Sequence, residues 1–309
     1  MLHLLFKLFP LPHRFCYKQG VTDQKIILIT GCSSGIGYLT ALRYARGGHK
    51  VYAGVRDLQS QGIKGLMAAK KKGKLPLELI QLDIRENESV KNAITQVLKK
   101  SKRIDILINN AGFGYLGPIE NFSLDEIRDQ YETNIFGVLR MVNEVSPIMR
   151  RQEEGLIINL SSIAGLIPFP LFSVYSSSKF ALETLSEGMR FELAHFGIKV
   201  VIVEPGSFLT KFSDNRKHPQ EFYSEANPYK KLVKNFFSRY QNTHDKAKVG
   251  FLSKIASPDK VAQLLYQISK EKHPKPRYMI GYDAYLFYTL KRLLPWQVWE
   301  WLLHRAYNW

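Results

Sequence analysis

Short apolar strands alternate with amphipathic helical stretches along most of this chain, and this alternation constrains its fold more than any other feature. From residue 25 onward, the strand-like runs read KIILIT, HKVYAGV, LELIQLD, IDILINN, GLIINLSS, IKVVIVEPG and RYMIGYD. Strands that are buried on both faces and separated by helices are typical of a parallel sheet covered on both sides. The sequence therefore predicts an α/β fold, a doubly wound parallel sheet in a single domain.

The regular alternation stops after Gly206 and resumes near residue 258. Residues 207–257 are polar, basic and aromatic, and a long insertion of this kind indicates either a functional lid or a disordered segment. The last residues, LFYTLKRLLPWQVWEWLLHRAYNW, predict two amphipathic helices that are separated near Pro295. We therefore divide the chain into an extension at 1–23, a catalytic domain at 24–283 with its lid, and a helical tail at 284–309.

A glycine-bearing turn, TGCSSGIG, joins the first strand to its helix at residues 30–37. Glycines at this junction let the backbone approach a pyrophosphate and point a helix N-terminus at it, as in Rossmann-type sheets. The spacing of Gly31, Gly35 and Gly37 differs from the G-x-G-x-x-G pattern, but its place between strand and helix favours nucleotide binding. Cys32, inside the turn, is interpreted as a small packing residue.

Tyr175 and Lys179 lie four residues apart in YSSSK, on a predicted helix that follows the fifth strand. Residues at this spacing share one face of a helix. An ammonium beside a phenol favours the phenolate and lowers the phenol pKa from its ordinary value of about 10. The pair then suits proton transfer near neutral pH, although a chance pairing on a surface helix explains the spacing alone equally well.

Five motifs in order give the chain a family resemblance: TGCSSGIG, NNAG at 109–112, Ser162, YSSSK and PGSFLT at 205–210. Together they resemble the short-chain dehydrogenase/reductase family, in its conventional single-domain subclass, over about residues 24–283. The segment VYAGVRD and the long C-terminal part are most similar to the 17β-hydroxysteroid and retinol dehydrogenase branch. The resemblance implies an oxidoreductase that interconverts an alcohol and its carbonyl with a nicotinamide cofactor.

Four catalytic residues are implied by the resemblance. Tyr175 is the expected general acid and base, and Lys179 is expected to lower its pKa and to hold the nicotinamide ribose. Ser162 is expected to hydrogen-bond the substrate oxygen, while Ser161 supports the backbone. Asn134 is expected to hold a water in a proton relay to the lysine; otherwise it is a kink or surface residue.

The same resemblance implies the cofactor site. Asp83 is expected to contact the adenine, the residues after the fourth strand the adenosine ribose, and the PGSFLT segment the carboxamide. The full expected set is Gly31, Ser33, Ser34, Gly35, Ile36, Gly37, Arg56, Asp83, Ile84, Asn110, Ala111, Gly112, Tyr175, Lys179, Pro205, Gly206, Phe208 and Thr210.

Arg56 determines the expected choice between the two nicotinamide cofactors. It follows the second strand, where an acidic residue would select NAD and a guanidinium suits the 2′-phosphate of NADP. Gly54 and Val55 are small enough to leave that position open. The sequence therefore favours NADP(H) over NAD(H); the alternative is a solvated Arg56–Asp57 turn with NAD bound.

Aromatic residues are concentrated in FGYLGP, in LIPFPLFSV and in the insertion after Gly206. An apolar cleft lined by them would suit a lipophilic substrate, such as a steroid, a retinoid or a long acyl chain, better than a sugar. Packing in the core is the other explanation for aromatics at this spacing. The candidates are Phe113, Tyr115, Leu116, Phe169, Phe172, Phe208, Phe222, Phe236 and Phe237.

The formal net charge of +17 raises the question of an anionic partner. The lysine run AAKKKGK is interpreted as a solvated loop, and since no nucleic-acid module accompanies it, nucleic acid is not expected. The basic, apolar N-terminus and the Trp-rich tail (Trp296, Trp299, Trp301, Trp309) resemble an interfacial surface, which predicts peripheral membrane contact. Packing against the domain, the cleft or another subunit is the alternative.

Only two cysteines, Cys16 and Cys32, occur, which favours a reducing compartment and a cytoplasmic location and indicates neither disulfides nor a metal site. Homodimers or homotetramers through the helices near 123–151 and 173–197 are expected from the resemblance, unless the basic extensions block them. Two alternative functions stay open: a 3-oxoacyl thioester reductase and a non-enzymatic, NADP-binding redox sensor.

Overall fold

The structure is a computed structural model that describes residues 24–208, 215–236, 238 and 257–307. The N-terminal extension, Thr210, Phe237, Trp309 and part of the predicted lid lie outside the described residues, so the predictions made for them are not tested.

A single seven-stranded sheet forms the centre of the domain, in the order β3-β2-β1-β4-β5-β6-β7, with every neighbouring pair parallel. The apolar runs singled out in the sequence form these strands, and most strand residues are buried because helices cover both faces of the sheet. The predicted fold class is confirmed. The strands are β1 Ile26–Ile29, β2 Lys50–Val55, β3 Leu77–Gln81, β4 Ile106–Asn109, β5 Gly155–Leu160, β6 Ile198–Pro205 and β7 Arg277–Ile280.

The helices occupy both faces of the sheet. They are α1 Gly35–Arg46, α2 Lys64–Gly73, α3 Asn87–Ser101, α4 Leu124–Tyr131, α5 Gly137–Gln152, α6 Ser173–Ala194, α7 Asp259–Ile268, α8 Tyr282–Leu293 and α9 Trp296–Tyr307. Apolar residues of α3, α5 and α6 form one core cluster with the sheet, and those of α1, α2 and α7 form another. Each of these six helices buries its apolar stripe against the strands, which is the arrangement of a doubly wound fold.

The first three strands extend the sheet to one side of β1, and the later strands, starting with β4, extend it to the other side. The strand order therefore switches between β1 and β4, which are parallel neighbours although they are far apart in sequence. The backbone N–H of Thr30, just after β1, donates to Ile108 O in β4 at 3.0 Å. Ligands of open α/β sheets bind at the carboxyl ends of the strands near such a switch point. The topology therefore brings the glycine turn and the NNAG segment to one place.

The lysine run at Lys70–Lys72 is not a loop, as the sequence had predicted, but the last turn of α2. Leu66 on this helix is fully buried and packs against the sheet, which outweighs the absence of a strong apolar period in the run itself. Cations in a last turn also complement the partial negative charge at a helix C-terminus.

The long helix expected near residues 123–151 is present, but a π-helical segment, Glu132–Phe136, interrupts it between α4 and α5. A capping box starts this helix, because Ser123 Oγ accepts from the N–H of Glu126 while a carboxylate oxygen of Glu126 accepts from the N–H of Ser123. The π segment contains Asn134, which is 1% exposed. Such segments occur often at functional sites.

The tail folds as the two helices expected from its sequence, α8 and α9, on either side of Pro295. Trp299 and Ala284 are buried against Ile163 and Ile167, which belong to the loop after β5. Within the described ranges, no helix is both long enough and apolar enough to cross a bilayer.

Candidate active site

The glycine turn bends sharply between β1 and α1. Gly31 and Gly35 have φ angles of +72° and +59°, in the left-handed region where glycine is favoured. Ser34 occupies the N-cap of α1, yet its side chain makes no capping hydrogen bond. The first N–H groups of a helix have no acceptor within that helix, so the turn presents donors and a positive helix end to an anion.

Asn110, after β4, holds the glycine turn in place. Its Nδ2 donates to Thr30 O at 2.8 Å and to Gly31 O at 3.0 Å. The Thr30 hydroxyl in turn accepts from the backbone N–H groups of Asn110 and Ala111 at 3.0 and 2.9 Å. The side chain of Asn110 therefore supports the backbone of the turn.

Side chains are excluded where the turn meets this segment. A Cβ built on Gly37 would lie 2.5 Å from Gly31 O and would also collide with the Asn110 amide. A Cβ on Gly31 would lie 2.8 Å from the Cα of Ala111. Cys32 is fully buried in the core beside this turn, and burial raises the pKa of its thiol, as suits a packing residue.

Arg56 and Asp83 lie beyond the ends of β2 and β3. Arg56 is exposed and, among the described residues, forms no ion pair. Burial opposes ionisation of Asp83, but hydrogen bonds from Arg85 outweigh it and hold the pKa of Asp83 below its usual value. Ile84 is buried and packs against Gly137 of α5.

Tyr175 and Lys179 lie on the first turns of α6 and are 7% and 6% exposed. Lys179 Nζ is 5.9 Å from the centroid of the Tyr175 ring and donates to Leu160 O, at the end of β5, at 2.8 Å. Burial lowers the pKa of Lys179 to about 8, while the nearby carboxylate of Glu183 opposes this change.

Asn134 connects the π segment to this helix. Its Nδ2 donates to Ser178 Oγ at 3.1 Å and to Phe113 O at 3.1 Å, and its Oδ1 accepts from Phe113 N–H at 3.2 Å. A Cβ built on Gly112 would lie 3.1 Å from Asn134 Oδ1 and 3.8 Å from Lys179 Nζ. Gly112, Asn134 and Lys179 therefore meet at one point.

Ser162 follows β5 and begins a short turn, Ile163–Gly165, in which its Oγ accepts from Ala164 N–H at 3.1 Å. A Cβ built on Gly165 would lie 3.1 Å from Lys179 O and 2.7 Å from Ser161 Oγ. The turn that carries Ser162 is therefore packed closely against α6.

Asp283, which the sequence analysis did not select, supports the segment after β6. Its Oδ2 accepts from Ser207 N–H at 2.6 Å, and Gly206 N–H donates to Ile280 O at 2.8 Å. Pro205 ends β6 beside Ile280, and Phe208 packs against the core. The sequence signal was an acidic residue in the first turn of a helix directly after the last strand.

A buried acidic cluster, which was also missed from the sequence, joins α6 to β6 and β7. Arg277 on β7 donates to Glu183 on α6 at 2.5 Å and to Glu204 on β6 at 2.6 Å, and both carboxylates are almost completely buried. Arg277 also contacts the exposed Glu187 at 2.6 Å. Burial and, to a smaller extent, the nearby Glu204 raise the pKa of Glu183 to about 7, and Ser161 and Arg277 only partly offset this rise.

The aromatic residues expected to form the substrate wall separate into two groups. Phe172 contacts Tyr175 and the buried Phe236, with ring centroids 6.4 and 5.9 Å apart, so this group adjoins the first turn of α6. Phe169 contacts Phe287 of α8 at 5.7 Å. Tyr115 and Leu116 are buried and pack within the second group, in which Phe113 contacts Tyr115 and His218 stacks on Phe222 at 4.3 Å.

The structure thus places the glycine turn, the NNAG segment, Asn134, the Ser162 turn and the first turns of α6 along one edge of the sheet. The backbone N–H groups of the turn and the space that its glycines leave fit the pyrophosphate of a dinucleotide. Arg56 and Asp83 lie at the outer end of the same edge, beyond β2 and β3.

Comparison with known proteins agrees with this arrangement. A family model described as short chain dehydrogenase matches residues 25–221. The chain is 36% identical to the estradiol 17-beta-dehydrogenase 1 of Rattus norvegicus over 262 residues, which cover 83% of this chain and 73% of that protein. It is 42% identical to the 3-ketodihydrosphingosine reductase of Bacteroides thetaiotaomicron over 194 residues, covering 63% of this chain and 68% of that one.

A solved short-chain dehydrogenase from Streptomyces avermitilis superimposes with a TM-score of 0.70 at 31% identity and covers 87% of this chain and 92% of its own. Other solved structures of this fold are complexes with NADP or with NAD. Both forms of the nicotinamide dinucleotide occur among these neighbours.

Proposed function

The chain belongs to the short-chain dehydrogenase family of oxidoreductases, and from this premise we propose that it interconverts a lipophilic alcohol and its carbonyl with NADP(H). The observation that carries the proposal is the cluster at the carboxyl edge of the sheet. There, Tyr175 and Lys179 lie buried on one helix, and Asn134 and Gly112 reach the same point.

The protein side of the reaction follows from these groups. The nicotinamide, when bound, supplies or accepts the hydride. Tyr175 donates a proton to the carbonyl oxygen in reduction and accepts it back in oxidation, and Ser162 hydrogen-bonds the same oxygen. Lys179, held beside Tyr175 by Leu160 O, favours the phenolate by its charge and binds the ribose hydroxyls.

Asn134 is proposed to orient the proton path rather than to react. Its amide is fixed by Phe113 and Ser178, so the π segment presents it at a constant position beside Gly112 and Lys179. A water held there would connect the lysine to solvent.

The preference for NADP(H) is supported by Arg56. This guanidinium is exposed at the end of β2, and the chain carries no acidic residue before it at Gly54 or Val55 that would repel a 2′-phosphate. Asp57, the next residue, uses its Oδ1 to accept from Gln59 N–H at 2.7 Å and thus shapes the local turn.

A lipophilic substrate is supported by the aromatic group that adjoins Tyr175. Phe172 and Phe236 provide apolar surface next to the reacting hydroxyl. The names of the two relatives, one an estradiol dehydrogenase and one a ketodihydrosphingosine reductase, both refer to lipophilic substrates. We infer that a steroid-like or long-chain alcohol or ketone occupies this cleft.

The proposal is tested by comparing Tyr175→Phe with the unaltered protein. The substrate panel contains steroid ketones, retinal, a long-chain 3-oxoacyl thioester and small polar carbonyls. Turnover is measured by the oxidation of NADPH. We expect turnover on a lipophilic carbonyl to fall by about 10²–10⁴-fold, since the proton donor is lost. Cofactor binding, measured by nicotinamide fluorescence, should persist.

Tyr131→Phe is the matched control. The Tyr131 hydroxyl donates to Ser177 Oγ on α6 at 3.0 Å, so this substitution also removes a phenol oxygen that lies next to α6. We expect turnover within about twofold of the unaltered protein. Full turnover in Tyr175→Phe would refute the catalytic assignment. NADPH binding without turnover of any carbonyl would favour the sensor, and activity on the thioester alone would favour the acyl reductase.

A further inference from the structure

The tail helices expose an unusual set of large side chains to solvent. On α8, the exposed residues Tyr282, Tyr285, Leu286, Arg292 and Leu293 follow one another at helical spacing and therefore form a single stripe. On α9, Trp296 and Trp301 are 60% and 56% exposed. We call these seven residues, together with Lys291 and Arg305, the tail face.

Cations of the tail face lie against its aromatic rings. Lys291 Nζ is 4.0 Å from the centroid of the Trp296 ring, and Arg305 Cζ is 5.6 Å from that of Trp301. Trp and Tyr have an apolar body and a polar edge, and Lys and Arg extend a charge from an apolar stem. This combination is typical of protein surfaces that lie at the boundary between lipid headgroups and acyl chains.

The inner side of the same two helices contacts the loop that leads to the catalytic tyrosine. Trp299 is 3% exposed and packs with Ile163 and Ile167, which follow Ser162. Phe287 of α8 contacts Phe169, and Phe172, three residues further, contacts Tyr175. A chain of contacts through Phe287, Phe169 and Phe172 therefore connects the tail helices to Tyr175.

We propose that the tail face lies on an anionic lipid bilayer and that the lipophilic substrate passes from this bilayer into the cleft beside α8. The bilayer-contact half stands on the tail face alone. The substrate half rests on the proposed function, because it requires a substrate that partitions into lipid.

Charge favours a bilayer over a second copy of the chain as the occupant of this face. The formal net charge of +17 includes Lys291, Arg292 and Arg305 of the tail face, and these three cations outnumber Glu300, the acidic residue exposed on α9. Two such surfaces repel each other, whereas anionic headgroups attract each Lys or Arg near them.

The first experiment measures binding of the full chain, without cofactor or substrate, to sedimented vesicles of phosphatidylcholine with and without phosphatidylglycerol. We expect binding to the anionic vesicles that weakens with added salt. The double variant Trp296→Ala/Trp301→Ala should reduce the partition coefficient by about tenfold, since two large apolar groups are removed from the interface.

Two control variants separate this face from general apolarity and charge. Phe191→Ala removes an aromatic ring that is 76% exposed on α6, and Lys70→Gln/Lys71→Gln/Lys72→Gln removes three charges from α2. We expect the first to leave vesicle binding within about twofold and the second to lower it less than Lys291→Gln/Arg292→Gln/Arg305→Gln does. Thermal unfolding verifies that every variant is folded.

The proposal is overturned if the Trp double variant binds vesicles as the unaltered chain does, including the case in which removal of residues 1–20 alone abolishes binding. It is also overturned if the unaltered chain does not bind the vesicles but forms dimers that the double variant does not form. In that case a second copy of the chain covers the tail face.

The second experiment tests delivery of substrate from the bilayer. In the double variant, we expect KM for a vesicle-embedded ketone to rise by about tenfold while kcat and the kinetics on a water-soluble carbonyl remain unchanged. An unchanged KM overturns the substrate half. Absence of turnover on any lipophilic carbonyl refutes the proposed function instead and leaves the vesicle result standing.

Discussion

The glycine turn at residues 31–37 and the helical turns at residues 175–183 reach the same edge of the sheet but are built in opposite ways. The glycine turn works by leaving side chains out, because an added Cβ at Gly37 would collide with Gly31 O and with Asn110. The helical turns bury Lys179 and Glu183, whose charges are satisfied by Leu160 O and by Arg277.

The two regions therefore differ in what they tolerate. Where two backbone segments lie in close contact, any added side-chain volume disrupts the packing, and this effect depends little on pH. A buried charged group becomes destabilising when its partner is lost or its protonation changes. The partner and the groups that set its pKa come from residues far away in the sequence. Substitutions in each region should produce effects of a different kind.

The largest effect is expected from Gly37→Ala in the glycine turn. The new methyl group displaces either Gly31 or Asn110, so we expect dinucleotide affinity to fall by about 100-fold and stability by ~1–3 kcal/mol. Titration calorimetry with NADPH and urea unfolding measure the two quantities.

Gly188→Ala is the control for this change. Gly188 lies in α6, where only Glu192 Oε1 comes within 4 Å of an added Cβ, at 3.9 Å, and alanine is the better helix former by about 1 kcal/mol. We expect equal or higher stability and unchanged affinity. Normal NADPH binding by Gly37→Ala would show that the turn does not depend on close approach.

A smaller effect, and one that depends on pH, is expected from Glu183→Gln in the buried acidic cluster on α6. The folded pKa of Glu183, about 7, lies above its unfolded value of about 4.3, so the folded state binds more protons between these values. This contribution to stability is complete below the unfolded pKa and is lost as the pH rises through 7. Its slope is at most about 1.4 kcal/mol per pH unit.

We expect Glu183→Gln to flatten the decline in unfolding free energy across this pH range, measured by urea unfolding at several pH values. The groups that act on Glu183 are Ser161, Glu204, Arg277 and, one turn earlier on α6, Lys179. Glu187→Gln is the control, because Glu187 contacts the same arginine but its side chain is 55% exposed. An equal slope in Glu183→Gln and the unaltered protein contradicts the titration proposed for this carboxyl.

The smallest effect is expected from Arg56→Ala, at the outer end of the nucleotide region. We expect KM for NADPH to rise by about tenfold, or ~1.4 kcal/mol, while KM for NADH stays constant. Arg46→Ala, exposed at the far end of α1, should change neither. A strong preference for NADH in the unaltered protein would defeat the assignment of NADP(H).

The strands and most helices could be predicted because their signals are local. Each strand is a compact apolar run, and each helix carries its own apolar period. The glycine turn and the Tyr175–Lys179 pair could be selected for the same reason, since their spacing lies within one turn or one helix. The lysine-rich α2 was misread because its buried Leu66 contributes only one clear apolar position.

The supporting residues could not be predicted because their partners are distant in the sequence. Arg277 pairs with Glu183 across 94 residues, and Asp283 reaches Ser207 across 76. The sequence does show an acidic residue at the start of α8, but it does not show either contact, because both depend on β6 and β7 being neighbours. The π segment around Asn134 was likewise hidden inside a continuous helical pattern.

That segment, Glu132–Phe136, has a consequence for how the chain can change over evolution. A π turn holds one more residue than an α turn, so the two helices on either side of it are out of phase by about 100°. Removing a single residue there would produce a straighter, more regular helix, and it would rotate the buried stripe from Val138 to Met149 away from the sheet. Apart from Asn134, whose identity matters for the site, this segment is constrained in its number of residues: a neighbouring side chain can be exchanged where a one-codon deletion cannot be tolerated.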